Sequence, residues 1–193
     1  MVCADTGQMG EATRTNGVLA ANQTKFHFAQ GTPPHITPGH YDVPIPTVAL
    51  LAENRPGSLK HARAAEVYIA LCELTEIVGD ILPTLYHLRA GDSESAAKQA
   101  SKAEKELQSW ERRLPSWCNI HGFEASARLA PGLANLQLSF LSVQMLIDRI
   151  CWHEISSKEA DPHPSWLKSC QKSADEMVQF VTSLHPIDFR GFW

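Results

Sequence analysis

The stretch Leu133 to Trp152, LANLQLSFLSVQMLIDRICW, constrains this chain more than any other. Leu133, Leu136, Phe140, Val143, Ile147 and Ile150 recur at three- and four-residue steps, the repeat of one face of an α-helix. Leu138, Leu141 and Met145 form a second row, and Leu146 adds to it. A helix that is apolar round most of its circumference must be wrapped by other helices, so the stretch reads as the central post of an all-helical domain. It does not read as a membrane span. Asn135, Gln137, Gln144, Asp148 and Arg149 interrupt it, whereas a spanning helix needs about 20 largely unbroken apolar residues.

Three further helices surround this post in the sequence pattern. The first starts near Ser58, an N-cap residue, and carries Val67, Leu71, Leu74, Val78, Ile81, Leu85 and Leu88 at alternating steps of four and three. Pro83 removes a backbone donor, which predicts a kink or break near Gly79–Pro83, and Ala90-Gly91 predicts the stop. The second is capped by Asp92 or Ser93 and places Ala96, Ala100, Ala103, Leu107, Trp110 and Leu114 on one seam, ending at Pro115. Glu94–Lys98 and Lys102–Glu106 are four-apart pairs on its wet face. Residues 115–130 connect onward, anchored by Trp117, Phe123 and Leu129, and the central helix is expected from Pro131, as its first helical residue, to about Ile155. The last helix is expected from Ser165 to Leu184, with Trp166, Cys170, Ala174, Met177, Val181 and Leu184 facing inward.

The chain divides into an arm over residues 1–55, expected to be disordered, and a helical domain over 56–193. The arm is rich in Gly, Thr, Asn, Gln and Pro, and only the short apolar run Thr47 to Leu51 offers to tack it onto the helical body. The closing residues IDFRGFW are aromatic, which predicts that the helical domain is cut at its C-terminal end. The expected fold is therefore all-α, an irregular multi-helix bundle that is an incomplete part of a larger helical domain.

Charge and cysteine usage narrow the function classes. A net charge of −4 and the absence of a lysine–arginine cluster argue against a nucleic-acid surface. The five cysteines, Cys3, Cys72, Cys118, Cys151 and Cys170, show no two-residue spacing of a metal grip, so no metal or other cofactor is expected. With no apolar leader at the N-terminus, a reducing compartment is expected, with the cysteines acting as small hydrophobes. No Walker loop, GxGxxG, GxSxG or HExxH occurs. His153-Glu154 lacks a nucleophile, and the chain does not read as an enzyme.

Four segments, in order, resemble the fungal-specific transcription factor domain, the helical middle region of fungal zinc-cluster regulators. Ala70 to Ala90, ALCELTEIVGDILPTLYHLRA, is similar to the family's long helix with its "L-Y-x-L" end. LQSWERRLPSW resembles "L-x-x-W-x-x-x-L-P" through Trp110, Leu114 and Pro115. The central stretch resembles the family's "L-x-L-x-Y/F-x-x-x-x-x-L-x-R" helix through Leu136, Leu138, Phe140, Leu146 and Arg149. SCQKSADEMVQFVTSL resembles "C-x-x-A-A-x-x-I", with Cys170 and Ala174 in place and Ser173 where Ala is usual. YDVPIPTVAL and the segment after it look most like regulators of cutinase and fatty-acid catabolism genes. The resemblance implies a nuclear regulatory module that works through protein contacts: with itself, with the remainder of the regulator, or with the transcription machinery. A small-molecule effector is also implied. The family's six-cysteine zinc cluster is missing, because Cys3 is the only cysteine before Cys72. DNA contact would therefore come only through a domain these residues lack.

Two residues stand out as candidate contacts. Arg149, on the most apolar helix, is expected to pair with Glu73, Glu76 or Asp80, or to meet the carboxylate of an effector. Trp152, with Trp110, Trp117 and Trp166, reads as core or as the lining of an apolar pocket. A helical interaction scaffold with no transcriptional role is the competing reading.

Overall fold

A computed structural model describes residues 45–52, 58–85, 93–121, 130–158, 164–186 and 188. Five helices occur among them: α1 (Val48–Ala52), α2 (Leu59–Leu85), α3 (Ser93–Arg113), α4 (Leu133–Lys158) and α5 (Pro164–Ser183). No strand occurs among the described residues. The fold is all-α, as the periodicity requires. α4 packs against α2, α3 and α5, and α2 also packs against α3 and α1. α4 is thus the post of the bundle, with α5 as an outer helix on one side.

The core follows the expected rows. Leu133, Leu136, Phe140, Val143, Ile147 and Ile150 of α4 are all buried, as are Val67, Leu74, Val78 and Ile81 of α2. Burying each such side chain contributes about 1.5–3 kcal/mol. Ala100 and Ala103 of α3 are buried beside Trp110, which is wholly enclosed. Among the described residues Trp110 is the largest side chain that is fully buried. Its ring stacks on Phe140 with centroids 6.0 Å apart, and its Nε1 donates to the Ala70 carbonyl at 3.2 Å. One side chain therefore joins α3 to both α2 and α4.

Helix ends follow local chemistry. α2 begins after Ser58, whose carbonyl accepts from the backbone N–H groups of His61 and Ala62. The helix runs unbroken through Gly79 and Pro83 to Leu85, so of the expected kink or break no break occurs. Pro83 lies in the last described turn, where it withdraws its own N–H while the packed turns before it hold the helix. Pro131 is not the first helical residue of α4. It lies in a turn with Gly132, whose φ of 82° is open to glycine. The Gly132 carbonyl then accepts from Leu136 N–H and starts the helix. α1 comes from the apolar run at the end of the expected arm and packs on α2.

The last helix is turned from its expected setting. Ser173 and Phe180 are buried, whereas Ala174 and Val181 are exposed. The inward row is Ser169, Ser173, Met177, Phe180 and Leu184, about 100° round from the row of alanine and valine. A buried carboxylate on α4 and the larger area of Phe180 decide the setting.

Candidate functional site

That carboxylate belongs to Asp148. The sequence places it beside Arg149, and the expectation was a buried guanidinium. The structure reverses the two. Arg149 is exposed and Asp148 is buried. Arg149 continues the row Leu138, Ser142 and Met145, which lies on the partly open side of α4. Asp148 continues the row Gln137 and Leu141, which is buried. One residue of offset, 100° of helix, separates the two environments. Two of the three acids expected for Arg149 are engaged elsewhere. Asp80 pairs with Lys102 at 3.2 Å and Glu73 with Arg113 at 3.9 Å, so these ions join α2 to α3. Glu76 is exposed beside both acids, and partial burial followed by their charges raises its carboxyl.

Asp148 is stabilised by hydroxyls. Ser169 Oγ donates to Oδ1 at 3.0 Å, and Ser173 Oγ donates to Oδ2 at 2.7 Å. Hydrogen bonds to an ionised acceptor are stronger than neutral ones, which offsets the cost of taking the charge out of water. Cys151 and Cys170 flank this cluster. Burial, then the charges of Glu104 and Asp148, pushes the Cys151 thiol up to about 11. Burial, then Asp148, raises Cys170. Neither thiol is an activated nucleophile, because activation needs a lowered pKa. The arrangement fixes α5 on α4.

A second polar cluster ties the connection after α3 to α2. Trp117 Nε1 donates to Glu66 Oε2 at 2.8 Å, and the Arg63 guanidinium lies 5.0 Å from the Trp117 ring centroid. Glu66 adds to burial in pushing the Cys118 thiol up to about 11. Gln137 of α4, buried, donates its amide to the Asn119 carbonyl at 3.0 Å. His121 meets Glu111 at 2.7 Å and sets its ring edge on Phe140. None of these partners was legible from spacing. Their pairing crosses up to 51 residues of chain.

Trp152 lies on α4, but its side chain falls outside the described residues, as do those of Trp166, His153 and Glu154. So do the expected stop at Ala90-Gly91, the cap Asp92, the Glu94 side chain, Phe123, Leu129, residues 1–44 and the closing aromatic residues. Lys102–Glu106 forms at 3.5 Å as spaced. Among the described residues no three His, Cys, Asp or Glu side chains come together as a metal site. No described helix is long and apolar enough to cross a membrane. What the surface does present is an apolar row on the outer side of α5, with Leu167, Val178 and Val181 43–63% exposed. Comparison with protein-family models, with curated proteins and with solved structures found no match to this chain.

Proposed function

We propose that this chain is a regulatory module of a fungal zinc-cluster transcription factor. It acts in the nucleus without catalysis and controls carbon-source or lipid catabolism genes. It relays or restrains activation through contacts within the regulator, with a second copy or with a small-molecule effector. DNA is reached only through a zinc domain outside these residues. One observation supports the reading: Trp110 and Phe140, matched residues of the second and third family-like segments, meet in the core. Trp110 of the second segment stacks on Phe140 of the third and bonds to Ala70 of the first. The fourth segment meets the third through Ser173, where the family usually has Ala, and Asp148, while the matched Ala174 and Arg149 face outward. Residues that resemble a family at the points where helices lock together support a shared fold more than matched surface residues would.

The exposed row on α5 favours a second reading, a helical interaction module with no role in transcription. Sequencing the encoding transcript through both ends separates the two. A reading frame that carries a six-cysteine cluster upstream is expected. A message confined to these residues overturns the transcriptional reading and leaves the interaction module.

A further inference from the structure

We propose that α5 is a self-association helix, pairing antiparallel with α5 of a second copy of this chain. Leu167, Ala174, Val178 and Val181 fall on one face, at steps of seven, four and three residues, and all four are exposed. This face is continuous with the inward face of the helix. Together they cover about half its circumference, more than a helix packed on one neighbour needs. α4 covers only the part centred on Ser173 and Phe180.

Charge selects the occupant. Lys168 and Asp175 both border the apolar row on the same edge, seven residues apart, and both are exposed. Neither has an ion-pair partner among the described residues. Lys172 and Glu176 pair with each other at 3.6 Å on the side away from the row. A helix with a cation near one end of its seam and an anion near the other complements itself when reversed. A two-fold axis crossing α5 at residues 172–173 sets Leu167 beside the partner's Val178. It sets Gln171 beside the partner's Ala174 and Lys168 within reach of the partner's Asp175. Every contact occurs twice, as a two-fold interface requires. A parallel two-fold pairing would instead put this edge of the two copies on opposite sides of the seam, and the two charges would not meet. Stable complexes bury roughly 800 Å² per partner, and a single-helix seam buries less. The dimer is therefore weak and concentration-dependent, forming in the micromolar range. It is independent of the transcriptional reading and holds for either function above.

The test is sedimentation equilibrium on the full chain from low to high micromolar concentration. A reversible monomer–dimer equilibrium is expected. Val178→Asp should abolish the dimer while leaving the far-UV circular dichroism and the unfolding midpoint unchanged, because Val178 is exposed in the monomer. Lys168→Asp should weaken association about tenfold by replacing two attractions with two repulsions. Lys168→Asp combined with Asp175→Lys should return it to within about twofold of the parent. A chain that stays monomeric throughout overturns the proposal, and another protein then covers the row. A dimer indifferent to Val178→Asp, or a charge swap that restores nothing, also overturns it.

Discussion

Cys118 and Cys151 hold their thiols among apolar side chains, and burial pushes each from an ordinary 9.0 up to about 11. The consequence for stability has a definite sign. Between pH 9 and 11 the unfolded chain has released these protons and the folded chain still binds them. Stability therefore falls as pH rises through that window, and the full contribution is present below it. Denaturant titrations across the window should show this slope, and replacing both cysteines with alanine should flatten it. An unchanged slope would mean that other groups dominate the alkaline limit. At this scale the sequence was a partial guide. It marked the cysteines as small hydrophobes and Trp110 as a space-filler, and the described ones behave so. It put Arg149 inward and Asp148 outward, the reverse of the structure, because adjacent residues on a helix are 100° apart and the choice belongs to the neighbouring helix.

The seams of α3 and α5 look alike as strings, each with alanine at a spacing that suggests burial. Their environments differ. Ala100 has no exposed surface, whereas Ala174 faces outward. Ala100→Leu should cost about 1–3 kcal/mol, because it forces a packed interface apart. Ala174→Leu should change stability by less than about 0.5 kcal/mol when measured on dilute monomer. Thermal or urea unfolding of the two variants checks the contrast, and equal effects would contradict the rotated setting of α5. The seam of α3 was legible because its outer face is densely charged, leaving one apolar choice. α5 carries apolar residues over half its circumference, so periodicity allowed two settings. The two serines that bond to Asp148 decided between them.

α4 is held on three sides and α5 is held by α4. A helix with one packed face opens at lower free energy than one at the centre of the bundle. Native-state hydrogen exchange on dilute protein should therefore show α5 amides exchanging by local opening, faster than those of α4 and of the middle of α2. Protection of α5 should rise with concentration if the helix self-associates. Equal protection throughout would mean that α5 and α4 open as one unit.

The sequence by itself determined that this protein is helical, that the helix from Leu133 onward forms its centre, and the main rows with which α2, α3 and α4 build its core, though not Leu82, which is wholly buried. Those features rest on local periodicity and on the area of apolar surface each helix must bury. The tertiary structure alone decided that Asp148 is enclosed and Arg149 is not, that α5 turns Ser173 and Phe180 inward, and that an apolar row is left facing outward. Each of these is a choice between adjacent rows of one helix. Such a choice is made by the side chains of a neighbour that lies far away along the chain.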